Sequence, residues 1–232
     1  MTKILQQKKA KQVKNFYNNI NFPGAYTINA LLDYGYPIEN KFLAFIEKHI
    51  KNCNLILDAG CGTGLTTNLF ALRNRSSHFV GIDFSSSINY AKTFAAKNSI
   101  DNVEFEKQDI IKYNTQNKFD VVVCQGVLHH IPDVSNAVEN IVQLLNHDGK
   151  IIIGLYHPMG KILKKITKIN YKSKILYQDQ ENHPYETTWT KSKIMEQFKN
   201  FNIVDQYPKS FVGLRSLLDS KNGGLCMYVL EK

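Results

Sequence analysis

The sequence predicts an α/β fold built on a doubly wound, mostly parallel seven-stranded sheet, with an N-terminal helical segment and an insert after the fifth strand. Three observations predict it. Short apolar runs at LILDA (55–59), HFVGID (78–83), VEFEKQD (103–109), FDVVVCQG (119–126) and KIIIGLY (150–156) have the length and composition of buried parallel strands. Patterns of helical period lie between most of them, at LTTNLFALR (65–73), SSINYAKTFAAKN (86–98) and VSNAVENIVQLL (134–145), and such alternation implies a parallel sheet with helices on both faces. Gly60, Gly62 and Gly64 follow the first strand and turn the chain sharply into a helix, an arrangement that carries a ligand at the strand's carboxyl end.

The remaining elements follow in chain order. Residues 1–54 read as a helical and irregular segment packing on the core, with FPGAYT as a break. Within it IENKFLAFIEKHI is a helix whose Phe42, Phe45, Ile46 and His49 or Ile50 form one face. Residues 55–156 form the ligand-binding core, and IIKYNTQNK is a short polar link inside it. The rhythm then breaks, and residues 157–200 read as an insert that covers a pocket as a lid. Its densest stretch, KILKKITKINYKSK (161–174), sets Ile162, Leu163, Ile166 and Ile169 on one helical stripe with lysines around it, the pattern of a surface helix. Residues 201–232 hold two final strands, in FNIVDQYPKS and GLCMYVLEK.

Composition bounds the function. With 232 residues, 43% hydrophobic and 21% charged, the chain suits one well-cored globular domain with a modest elaboration. The formal charge of +9 can attract nucleic acid, anionic lipid or an acidic substrate, but the lysines are spread along the chain as on ordinary solvated faces. Membrane-surface or nucleic-acid contact by residues 161–174 is the alternative reading of that stretch. Neither an apolar run of membrane-spanning length nor a signal-peptide core is apparent, so a cytoplasmic location is expected. Cys53, Cys61, Cys124 and Cys226 lack metal-ligand spacing, which predicts reduced thiols and no metal site.

The turn itself narrows the ligand. Gly60, Gly62 and Gly64 match the G-x-G-x-x-G dinucleotide fingerprint poorly, and Leu65 stands where a phosphate loop needs Lys. Asp58, two residues before the first glycine, would repel a pyrophosphate and suits a ligand that carries a cation, such as an amino-acid or sulfonium group.

LDAGCGTG resembles the first motif of class I S-adenosylmethionine-dependent methyltransferases, and VGIDFS, EKQDI, FDVVVCQGVLHHIPD and DGKIIIGLY resemble that family's later elements in order, over roughly residues 50–156. The resemblance implies S-adenosyl-L-methionine as cofactor. It implies that Asp83 binds both ribose hydroxyls, that Asp109 accepts from the adenine amino group, and that Ile110 adds a backbone donor and an apolar surface. Asp58, Gly60, Gly62, Gly64, Phe84 and Gln125 complete the implied cofactor set, with glycine-turn N–H groups approaching the cofactor's carboxylate. Helix or turn capping is the competing reading of Asp83 and Asp109.

Methyl transfer from a sulfonium is an in-line displacement that alignment alone accelerates, and it needs no metal. Where the acceptor is a hydroxyl or an acidic carbon, a base of near-neutral pKa helps. His130, His129 and Tyr156 are the candidate catalytic residues, with His130 preferred because it is nearer the following helix; loop packing and helix capping are the competing roles of the two histidines. His157 follows the fifth strand, and His183 and Tyr185 lie on the acceptor side or are ordinary loop residues. QGVLH replaces the Asn-Pro-Pro-Tyr element that the family uses for exocyclic amines, and no Pro-Cys nucleophile is present, so a small-molecule or lipid-like acceptor is favoured. The alternatives are a tRNA or rRNA methyltransferase using the basic surface, a non-catalytic cofactor-binding regulator, and a nicotinamide-dependent oxidoreductase.

Overall fold

The structure, a computed structural model, describes residues 1–35, 41–159, 183–209 and 225–232. The expected surface helix at 161–174 lies outside the described residues. The N-terminal part comprises α1 (Lys3–Asn19), α2 (Ile28–Gly35) and α3 (Lys41–Ile50). The core then runs β1 (Leu55–Ala59), α4 (Leu65–Arg73), β2 (His78–Asp83), α5 (Ser87–Lys97), β3 (Val103–Lys107), β4 (Phe119–Gln125), α6 (Val134–Gln143) and β5 (Leu145–Tyr156). It closes with α7 (Lys191–Gln197), β6 (Asn202–Tyr207) and β7 (Leu225–Glu231).

The seven strands form one sheet in the order β3-β2-β1-β4-β5-β7-β6. The first five are parallel, and β7 runs antiparallel to both β5 and β6. The strand order reverses between β1 and β4, and the crevice at their carboxyl ends is where such sheets bind ligands.

Both faces of the sheet are buried, with period two along each strand. Ile56, Phe79, Val121 and Ile152 pack on one side with Ile46 and Ile50 of α3, Leu69 of α4 and Ala91 of α5. Leu57, Val80, Val122 and Ile153 pack on the other with Ala137 and Ile141 of α6 and Ile194 of α7. Ile50 is fully buried and His49 is not, which settles the α3 face.

Three boundaries differ from the sequence reading. β3 stops at Lys107, because the Asp109 side chain turns the chain by accepting from the Ile111 N–H at 3.0 Å. α6 stops at Gln143, and Leu145 opens β5 opposite Phe119, where the register shifts to take in the NHDG segment. Within the insert read as a lid (157–200), Trp189, Ile194 and Phe198 are buried in the second layer, beside Phe201 of the closing segment.

Candidate functional site

A cavity of about 310 Å³ opens at the carboxyl ends of β1, β2 and β4. Its floor is Gly60, Gly62, Ile82 and Asp83, one flank is Gln108 to Ile111, and the other is Gln125 to Val127 with His130 to Asp133. The remaining wall comes from α1, through Ala10, Lys11, Val13, Lys14 and Tyr17, with Phe22 beyond it.

The glycine turn is shaped by the protein's own contacts. Gly60, Gly62 and Gly64 all have positive φ, at 89°, 56° and 73°. A Cβ on Gly62 would stand 2.3 Å from the Phe22 carbonyl oxygen, and that oxygen accepts from the Thr63 N–H at 2.9 Å. A Cβ on Gly64 would meet Ala91 and the Phe105 ring at 2.8–2.9 Å, so this glycine lets α4 approach α5 and β3 and lies outside the cavity lining. Gly60 and Cys61 donate to the Ile82 carbonyl, Gly62 to Asp83 Oδ2 and Gly64 to the Cys61 carbonyl. The N–H groups expected to face a cofactor carboxylate are thus already committed within the chain, and the cations lining the cavity are Lys11 and Lys14 of α1.

The acids fall into two kinds. Asp83 and Asp109 line the cavity. Asp83 accepts from Gly62 N–H at 2.9 Å and Ser85 N–H at 2.8 Å, one on each oxygen, and each carboxylate oxygen has a second lone pair to offer a hydroxyl. Turn capping and ligand reception are therefore compatible in both residues. Asp58 is buried behind the turn and does not line the cavity; it accepts from Thr67 Oγ1 at 2.6 Å, and burial pushes its pKa up to about 6. Phe84, Ile110 and Gln125 are all on the lining, with the Tyr17 ring edge-on to Phe84 at 6.1 Å.

At the other end stand the histidines. After β4 the chain makes a single turn of 3₁₀ helix, Leu128–His130. His130 lines the cavity, whereas His129 and Tyr156 do not: His129 is fully buried behind it, with the Tyr156 ring 4.4 Å away. His130 Nδ1 lies 3.1 Å from the Tyr185 carbonyl oxygen. A carbonyl only accepts, so Nδ1 carries the proton and the neutral ring has its lone pair on Nε2. His183 lies over His130 at 3.7 Å and also meets Phe16 and Tyr17 of α1. Burial lowers the His183 pKa to about 4, and its Nδ1 accepts from the Tyr185 N–H, which places the ring proton on Nε2. That buried N–H has no hydrogen-bond partner among the described residues.

A family model described as a methyltransferase domain matches residues 50–202. This chain belongs to the class I S-adenosylmethionine-dependent methyltransferases. Among curated relatives of this chain, a ubiquinone biosynthesis O-methyltransferase of Coxiella burnetii is 33% identical over 112 residues, covering 47% of each chain. A protein of the same name from Rickettsia bellii is 31% identical over 161 residues, 68% of this chain and 64% of that one. The chain spans about half the length of the first of these and under two thirds of the second. A solved structure of 1,6-didemethyltoxoflavin-N1-methyltransferase from Burkholderia thailandensis, with its acceptor and S-adenosylhomocysteine bound, superposes with a TM-score of 0.64 at 17% identity over 98% of this chain and 90% of that one. That likeness shows the fold.

Two parts of the candidate site have no counterpart in the sequence analysis. The α1 wall was legible as the stripe Ala10, Val13, Lys14, Tyr17, at helical i, i+3, i+4, i+7 spacing, within a segment read only as packing on the core. Glu186 sits in the same loop as His183 and Tyr185, and its carboxylate comes within 4.8 Å of ring nitrogens of His129 and His130. Nothing in local sequence brings residues 129 and 186 together; Thr187 does so by donating its N–H to the His129 carbonyl at 2.9 Å.

Proposed function

We propose that this methyltransferase transfers the methyl group of S-adenosylmethionine to a hydroxyl-bearing small molecule of apolar or lipid-like character, in the cytoplasm. The observation that supports it most is one cavity lined by two carboxylates, Asp83 and Asp109, by the buried imidazole of His130, and otherwise by mostly apolar walls. The donor set fits the cofactor: two carboxylates with spare lone pairs suit hydroxyl and amino donors, and Lys11 and Lys14 suit a carboxylate. When bound, S-adenosylmethionine supplies a methyl group on a sulfonium, a good leaving group.

The chain's own residues then have these parts. Asp83 holds the ribose hydroxyls, Asp109 receives the adenine amino group, and Ile110, Phe84 and Val127 exclude water around them. Val13 and Tyr17 of α1 shut the cavity on the side opposite the sheet, which favours an apolar acceptor and protects the transfer from hydrolysis. At the acceptor end His130, whose tautomer is fixed by the Tyr185 carbonyl, activates the acceptor oxygen through Nε2, with His183 stacked over its ring. His129 and Tyr156 position His130 from behind. The names of the ubiquinone-pathway relatives support oxygen as the attacked atom and an apolar acceptor.

Incubation with methyl-labelled cofactor and a panel of phenolic and lipid-like hydroxyl compounds tests the reading. Label should pass to an oxygen of at least one apolar compound. His130→Ala should reduce turnover about a hundred- to ten-thousand-fold with cofactor affinity almost unchanged. Cofactor affinity falling in step with rate would make His130 part of the cofactor wall and overturn its assigned role.

A further inference from the structure

The activation assigned to His130 has a chemical means beside it. His129, His130 and Glu186 each offer one ligand atom, and these three atoms all lie within 4.8 Å of one another. The two imidazoles are almost wholly buried, at 0% and 3% exposure, and Glu186 is half-buried. We infer that these three residues hold a divalent first-row cation of the zinc class, and that His130 acts on the acceptor through it; the part concerning the acceptor rests on the function proposed above.

Five features carry the inference. The donor set is two imidazoles and one carboxylate, which with an open fourth position is the make-up of catalytic zinc sites. Ligand distances of about 2.0–2.2 Å set the donors of a tetrahedral ion about 3.4 Å apart, so these three atoms, within 4.8 Å of one another, would close by up to about 1.4 Å on binding. The His130 ring has the outer partner that metal-bound imidazoles use, an Nδ1–H donated to a backbone carbonyl, which leaves Nε2 as the ligand nitrogen. The two chain segments that supply the ligands are tied to each other directly, because both the N–H and the hydroxyl of Thr187 donate to the His129 carbonyl, at 2.9 and 3.3 Å. Finally, His130 is on the cavity lining and the other two are not, so the accessible side of the cation would face the acceptor. The cysteine spacings, from which no metal site was expected, say nothing of a site made from imidazole and carboxylate.

The chemistry is that of a Lewis acid. An acceptor hydroxyl whose oxygen binds the cation loses its proton to solvent at neutral pH, as water on zinc does when its pKa falls to about 7. The oxygen–carbon bond then forms as the carbon–sulfur bond breaks, giving a methyl ether and S-adenosylhomocysteine. No oxidant or reductant is involved. The assignment therefore selects acceptors with an ionisable hydroxyl over amines.

The experiment is a titration of chelator-treated protein with Zn²⁺ against a chromophoric competitor, for the wild type and Glu186→Gln, with Co²⁺ as a spectroscopic probe. One equivalent should bind per wild-type chain, at least tenfold more tightly than to Glu186→Gln, and Co²⁺ should give the intense visible spectrum of a low-coordinate site. Melting curves in chelator should be alike for both proteins. No stoichiometric binding by the wild type, or equal affinity in Glu186→Gln, overturns the inference, since exposed histidines such as His147 would then be the ligands. Were Glu186→Gln to misfold, the wild-type Co²⁺ spectrum decides alone: a weak six-coordinate spectrum overturns it. S-adenosylmethionine binding, measured separately by calorimetry, tells the two readings apart. Its absence would remove the proposed function and leave the metal result standing.

Discussion

Replacing Gly62 with Ala tests whether the N-terminal segment is part of the cofactor turn. The added Cβ has two separate penalties. At φ 56° an alanine occupies the left-handed region, which costs roughly 1–2 kcal/mol. Its Cβ would also lie 2.3 Å from the Phe22 carbonyl oxygen, and that backbone must retreat, giving up the bond it accepts from Thr63. A lost bond of this kind is worth about 1 kcal/mol. Gly126 provides the control, because its φ of 77° carries the first penalty while a Cβ there meets nothing within 4 Å. Urea denaturation should therefore show Gly62→Ala less stable than wild type by about 2–3 kcal/mol, and Gly126→Ala by about 1–2 kcal/mol, with the slope m unchanged. Calorimetry should show the affinity of Gly62→Ala for S-adenosylmethionine down at least tenfold, since the turn and the α1 wall move together. Equal midpoints for the two variants would refute the reasoning, because Phe22 would then add nothing to the turn.

Other outcomes follow from the same contacts. Asp83→Ala should weaken S-adenosylmethionine binding about ten- to several-hundred-fold in calorimetry; an unchanged affinity in a folded variant would remove Asp83 from the site. Tyr26→Phe deletes a hydroxyl that donates to the Thr63 carbonyl and accepts from buried Asn68, both at 2.9 Å. Stability should drop about 1–3 kcal/mol, read as a lower melting temperature, and a loss under 0.5 kcal/mol would show that Asn68 finds another partner. Asp58 holds its proton to about pH 6 when folded, against an ordinary value of 3.8, because burial disfavours the carboxylate. The folded state thus binds more protons between these values, so wild-type stability falls as pH rises from about 4 to 6. Asp58→Asn should escape this fall, gaining on wild type by on the order of 2–3 kcal/mol across that window; parallel pH profiles would contradict the burial argument.

The sheet was legible because burial on both faces leaves uninterrupted apolar runs, and β1 and β2 stand where those runs stand. Element ends were less so. Leu144 and Leu145 continue the helical pattern of α6, yet pairing of Leu145 with Phe119 pulls it into β5, a tertiary effect without a local signal. The acids at the ends of β2 and β3 could be found from the sequence because strand, turn and acid are contiguous there. The histidine cluster proposed as the acceptor end brings together residues 16–17, 129–130 and 183–186, and only chain folding makes them neighbours. Asp58 and Gly64 share the motif with the lining residues but serve its packing, a division that needs the third dimension.

The α1 wall has a consequence for how ligands come and go. Of the seventeen residues of this helix only Val13 is buried, while the strands beneath contribute fully buried residues at nearly every position. Protection against hydrogen exchange should follow the same gradient: amides of α1 exchange through detachment of that helix alone, and those of β1 and β4 only when the whole sheet opens. Opening the cavity therefore requires far less free energy than unfolding the domain. Bound cofactor or acceptor, by occupying the space against Val13 and Tyr17, should slow exchange in α1 selectively and leave the sheet's slowest amides as they were.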